Sequence, residues 1–235
     1  MQSHYNQFVS EIRALYENSP FNGLLNATSE LQKIHALIPN LERSHTMAPS
    51  TRDSIIQAIS HAAKLGLSLC PEKGLATLSM FKQVNNEVEF YLDVSLAGIE
   101  VTMSRIREYT ISTLDVVTGD DGISWNGNVF GSTFPVRTPV KNEMLKGAIC
   151  VIEVPNHDLL VTTITIRELK ELSRLSCGDL KALTPDFAKR HVFKRALKTL
   201  IAPPQSLLSE LQQATKSLDI ALFNHDREFG MPGQQ

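Results

Sequence analysis

Apolar residues recur every three to four positions at the start of the chain. Phe8, Val9, Ile12 and Leu15 predict a helix over residues 2–17, interrupted by Pro20 and Gly23. A second short helix is predicted near Ser29–Ile38, ending before Pro39. Ser44–Ser50 is rich in turn formers and reads as a link. Thr51 stands where a cap would precede a helix carrying Ile55, Ile56, Ile59, Ala62 and Ala63, and Gly66 is suited to end it.

The period then falls to two. Leu75–Lys82 and Val88–Leu92 flank Asn85-Asn86 and predict a hairpin. A short helix is expected at about Leu96–Arg107 and a strand at Tyr109–Val117. Gly119-Asp120-Asp121-Gly122 is a turn. Asn126-Gly127, between Ile123-Ser124-Trp125 and Asn128-Val129-Phe130, is the strongest short hairpin signal in the chain. Met144–Val154 and Leu159–Ile166 predict another strand pair. Thr165 begins a helix to about Leu175, and Pro185 occupies the first turn of one reaching about Ile201. Pro203-Pro204 stops it, Gln205–Phe223 is a last amphipathic helix, and Gly230 onward reads as a frayed end. Helices, then hairpins around one helix, then helices make an α+β chain with a mainly antiparallel sheet flanked by helices. The punctuation divides it into an N-terminal helical segment (1–43), a core (51–203) and a C-terminal helix with tail (205–235).

Composition supports a folded domain. The chain has 235 residues, 42% hydrophobic and 20% charged, enough apolar side chain for a core without staples. No apolar run nears the roughly 18–20 residues of a membrane helix, and no signal-peptide pattern opens the chain. Cys70, Cys150 and Cys177 are too scattered for a disulfide framework, which fits a cytoplasmic setting.

Net charge is only −2, but its distribution is uneven. Lys181–Lys198 holds six basic residues and one acid, a window of +5, while the remainder is −7. On a helical wheel Val192, Phe193, Ala196, Leu197 and Leu200 fall on one side. Arg190, Lys194, Arg195 and Lys198 fall opposite, with His191 among them. This face is either a solvated surface favoured by the helix dipole or a rail for phosphates. Lys189 points into the apolar stripe, where it must snorkel or meet an anion. Trp125 and Phe130 are suited either to stacking on bases or to cross-strand packing.

Other chemistries find little purchase. GxxxxGK[ST], GxGxxG, CxxC and HExxH are all absent. Gly122-Ile123-Ser124-Trp125-Asn126-Gly127 misses the nucleophile elbow by one residue. Asp115, Asp120 and Asp121 are either Mg²⁺ ligands or turn formers, and Pro185-Asp186 with Lys189 distantly resembles a nuclease signature but falls on a helix. His61, within a helix, reads as an ordinary surface or core residue rather than a ligand.

From about Thr51 to Pro203 the chain resembles the RecT branch of phage-type single-strand annealing proteins. The similarity lies in the order and spacing of several landmarks. These are Lys64-Leu65-Gly66-Leu67 followed by Pro71 and Leu75–Phe81, then Val116-Val117-Thr118-Gly119-Asp120 before an aromatic hairpin ending at Gly131. Thr165–Ser176 follows, then Ala188-Lys189-Arg190 with Lys194-Arg195, Lys198 and Leu200. The chain departs from the family at Ser95-Leu96-Ala97, with Gly98 one place late, and at Asp179-Leu180-Lys181-Ala182, where the family has Gly-Pro-Trp.

The resemblance implies a non-enzymatic protein that binds single-stranded DNA, assembles into rings or filaments, and anneals complementary strands without ATP. It implies a 5′→3′ exonuclease partner and no cofactor, with Mg²⁺ at most a counterion of phosphates. Lys194, Arg195 and Lys198, beside Arg190 and Lys189, are the expected phosphate contacts, with Trp125 gripping the strand. Lys82, Arg105 and Arg107 join them on charge and position near the sheet. The N-terminal helices are expected to pack between subunits, against the alternative of packing on their own chain. A metal-dependent nuclease using Asp120 and Asp121, or a protein-binding adaptor using Leu207–Phe223, are the competing functions.

Overall fold

Helix α1 spans Gln2–Glu17, the range set by the spacing of Phe8 and Ile12. In the computed structural model the described residues are 2–38, 48–82, 87–118, 129–130, 145–155, 158–177 and 183–229. The chain forms two compact units, one of Met1–Thr102 with Pro203–Gln235, the other of Met103–Ala202. Segments 1–43 and 205–235 thus share a unit, while the stretch 51–203 contributes to both.

In the first unit, α2 (Ala27–Leu37) starts at Asn26, whose side chain accepts the Ser29 N–H at 3.0 Å. Helix α3 covers Pro49–Leu65. It begins two residues before the expected Thr51 cap, because Pro49 supplies a preset φ at the first turn; Thr51 is buried inside that turn. The last two residues of the expected link, Pro49 and Ser50, are therefore helical, and residues 39–47 lie outside the described set. Gly66 ends α3 at φ 65°, with the Leu67 N–H bonded to the Ala62 carbonyl and the Gly66 N–H to Ala63, a closure that favours a residue without Cβ.

Strands β1 (Ala76–Lys82) and β2 (Val88–Val94) pair antiparallel in the expected hairpin, from Ala76 opposite Val94 to Lys82 opposite Val88. Helix α4 (Leu96–Ser104) stops three residues short of the expected Arg107. Ser95 caps it, accepting the Gly98 N–H at 3.0 Å while its hydroxyl donates to the Leu75 carbonyl at 2.9 Å. A Cβ on Gly98 would stand 2.1 Å from that carbonyl oxygen, so the Ser95–Gly98 turn is a close backbone approach.

Helix α7 (Leu207–Phe229) packs on α3, β1 and β2, burying Leu208, Leu211, Ala214 and Leu218. Helix α1 packs on α2 and α3, and Phe8, Ile12, Tyr16 and Ile34 are fully buried. The buried positions named here, on helices that the sequence offered to a neighbouring subunit or an adaptor's partner, pack within their own unit, while Ile220 on α7 stays exposed.

The second unit is built on β3 (Thr110–Thr118), β5 (Leu145–Glu153) and β6 (Leu159–Thr165), all antiparallel. The two-residue β4 (Val129–Phe130) pairs with the outer edge of β6, giving the order β3-β5-β6-β4. Both faces are buried. Ile149, Val151, Val117 and Val161 form one cluster, and Ala148, Cys150, Ile152 and Ile164 alternate to the other side. The Asn126-Gly127 turn, Trp125, Asp120 and Asp121 lie outside the described residues. Helices α5 (Ile166–Cys177) and α6 (Pro185–Leu197) pack on β5 and β6, and α6 also meets β3. Among the described residues no helix is long and apolar enough to cross a membrane. Cys70 and Cys150 are buried free thiols; burial pushes the Cys150 pKa up to about 12, so it stays protonated and unreactive.

Candidate nucleic-acid interface

Thr184 caps α6, its hydroxyl accepting the Phe187 N–H at 3.1 Å, and Pro185 fills the first helical position as expected. Ala188, Val192, Phe193, Ala196 and Leu197 are buried. The basic residues do not line the opposite side as a rail. Lys194 is only 4% exposed. A wheel assumes one narrow buried stripe, but α6 is met by three strands and its covered surface extends round to Lys194.

Lys189 meets an anion, as its position required. Its Nζ lies 3.1 Å from Asp115 Oδ1 on β3. Asp115 also accepts the Val116 N–H at 2.8 Å, so this carboxylate, one of the three considered as cation ligands, is engaged within the fold. Arg195 donates through Nη2 to Glu168 Oε1 at 2.7 Å and through Nη1 to the Thr163 carbonyl at 2.8 Å. Arg190 is half-buried. Lys198, at the C-cap, is exposed. Of the five expected phosphate contacts on α6, Lys198 alone combines full exposure with a helix-end position.

Glu168 explains the start of α5. Its carboxylate accepts the Thr165 N–H and hydroxyl, both at 2.8 Å, and Thr165 Oγ1 accepts the Glu168 N–H at 3.3 Å. This is a reciprocal capping box, and it confirms Thr165 as the helix start. Burial works to raise the Glu168 pKa, but the Arg195 hydrogen bond, the two from Thr165 and the Arg195 charge outweigh it and hold the carboxyl below its ordinary value. The Arg195–Glu168 bridge therefore pins the last turn of α6 to the first turn of α5.

The remaining expected residues are dispersed. Arg107 is exposed in the turn before β3, and Arg105 is half-buried, its pKa lowered by desolvation. Tyr109 donates its hydroxyl to the Ile201 carbonyl at 2.9 Å, tying the start of β3 to the chain just beyond Lys198. Ile201 itself is 86% exposed. Lys82 ends β1 in the first unit.

A basic face that the charge-window reading missed lies on α5. Arg167, Lys170 and Arg174 are all exposed, while Leu169 and Ser173 are fully buried on the other side. The spacing i, i+3, i+7 sets the three cations along one face. Glu171 shares it, 3.5 Å from Arg167, so the outward stripe is +2. A window count hides this because Glu168 and Glu171 nearly cancel it, and only the cap geometry shows that Glu168 turns away to Arg195.

Charge also separates between the units. Met103–Ala202 carries 14 basic and 11 acidic residues, net +3, against nine and 14 for the rest, net −5. In the first unit His61, expected to be an ordinary core or surface residue, is buried and joins Nδ1 to Glu210 on α7, whose other oxygen lies 3.5 Å from Lys64. No family model, curated protein or solved structure matches the chain.

Proposed function

We propose that this chain is a single-stranded DNA-binding protein that anneals complementary strands without ATP, working as an oligomer in the manner of the RecT proteins it resembles. The observation that carries the reading is the concentration of positive charge in the Met103–Ala202 unit of a chain that is negative overall. Such a division lets one part hold a polyanion while the other keeps the protein from binding it indiscriminately. The exposed cations of this unit include Lys198, Arg107, Arg167, Lys170 and Arg174, a set suited to phosphates rather than base edges, so recognition is sequence-tolerant.

The driving free energy is base pairing, about 1.4 kcal/mol per stacked step. The protein lowers strand repulsion and holds the nascent duplex. Oligomerisation sets the positive units in series, and a cytoplasmic 5′→3′ exonuclease supplies the single strand. Mg²⁺ has no dedicated role beyond screening phosphates. The absence of GxxxxGK[ST] and GxGxxG from the sequence supports an activity independent of nucleotide. Electron microscopy of the full chain with complementary oligonucleotides added in sequence tests the reading. Ordered rings or filaments on the annealed pair are expected; a monomer that ignores DNA overturns it.

A further inference from the structure

We infer that the outward face of α5, joined to Lys198 through the Arg195–Glu168 bridge, is a phosphate-binding strip for a single nucleic-acid strand. The inference rests on the DNA-binding reading above and names the surface that carries it. Three observations converge. The first is exposure: Arg167 is 89% exposed, and Lys170 and Arg174 are exposed on the same face. The second is spacing. Seven residues at 1.5 Å rise span roughly 10 Å. A single strand laid along the helix carries its successive phosphates past all three cations over that distance.

The third is continuity. Arg195 bonds Glu168, the residue next to Arg167, at 2.7 Å, so the last turn of α6 adjoins the start of the α5 face. Lys198 is exposed one helical turn beyond Arg195. Glu168, the acid that would interrupt the strip, is withdrawn into the capping box and the Arg195 bridge. Glu171 remains the one acid among these outward α5 residues, and its contact with Arg167 is a loose exposed pair at 3.5 Å that a phosphate readily replaces. A nucleic acid is favoured over an acidic protein surface because the exposed cations form a line, whereas a protein interface would want an apolar centre, and α5 buries Leu169 inward.

The test is fluorescence anisotropy of the full chain with a labelled mixed-sequence single-stranded oligonucleotide over a range of salt. Arg167→Gln/Lys170→Gln/Arg174→Gln should flatten the slope of log K against log[salt] by about 2, from roughly 0.7 per lost contact. Glu171→Gln should tighten binding roughly twofold, since it removes an opposing charge at i,i+4. Lys73→Gln, an exposed cation of the other unit, should leave the slope unchanged. Lys170→Gln alone, with an expected change of about 0.7, serves if the triple variant unfolds. A wild-type slope in the triple variant, or in Lys170→Gln where the triple variant unfolds, overturns the strip while leaving the DNA-binding reading intact. Competition by polyglutamate as effective as that by unlabelled oligonucleotide also overturns it, in favour of an acidic protein partner. A wild-type chain that binds no oligonucleotide at low salt brings down both.

Discussion

Arg195 reaches Glu168 across 27 residues of sequence, and the same guanidinium holds the Thr163 carbonyl. One side chain thus joins α6, the end of β6 and the cap of α5. Arg195→Lys keeps the charge but loses the planar fork, and should lower stability by about 1 kcal/mol, a value kept small because both partners are more than a third exposed. A urea midpoint equal to wild type would show that the bridge does not order α5.

Thr165→Ala removes the hydroxyl half of the capping box. A loss of about 1 kcal/mol is expected in chemical denaturation. Thr165→Ser, which keeps the Oγ, should recover most of it. Equal effects of the two replacements would contradict the cap.

Lys194 and Lys198 are separated by one helical turn and by their surroundings. Lys194→Ala truncates a long side chain that is only 4% exposed and should destabilise by about 2 kcal/mol while leaving the salt slope of DNA binding unchanged in the folded fraction. Lys198→Ala should do the reverse, with near-wild-type stability and a slope flatter by about 0.7. A slope flattened by Lys194→Ala as much as by Lys198→Ala would return Lys194 to the interface, and a wild-type slope in both would remove Lys198 from it.

Acid should weaken the fold through Glu168 and Glu210. Burial raises both pKa values but is outweighed, for Glu168 by Arg195 and Thr165, for Glu210 by His61 and Lys64, so both folded values lie below the unfolded one. A lowered folded pKa contributes stability that is present above the ordinary Glu value of about 4.3 and is lost as pH falls through the folded value. Urea midpoints measured from neutral to acid pH should fall less steeply below that value in Glu168→Gln and Glu210→Gln than in wild type. Parallel curves would contradict the shifts.

Gly98→Ala places a methyl against the Leu75 carbonyl, a backbone atom with little room to move. A destabilisation of about 3 kcal/mol or failure to fold is expected. A wild-type melting temperature would show that α4 can shift without cost.

The elements that sequence made legible are those with local signals. Gly66 ended α3, Pro185 opened α6 and Thr165 opened α5, because each acts on its own backbone within a turn. The apolar and β-branched runs Val88–Leu92 and Leu159–Ile166, each set against a partner run across a turn, are strands in antiparallel pairs. The candidate site was less legible because exposure is a tertiary property. Nothing local to Lys194 says that three strands enclose α6, and nothing local to Glu168 says that Arg195 draws it out of the outward charge of α5. Pro49 at the first turn is legible in the sequence, and it prevails over Thr51, which packing takes inside the helix.

Stopped-flow mixing of labelled complementary oligonucleotides in the presence of the full chain tests annealing most directly. The account predicts pairing accelerated over free strands, undiminished by omitting ATP and progressively slowed by salt. An absolute requirement for ATP, or cleavage of the strands under the same conditions, would contradict it.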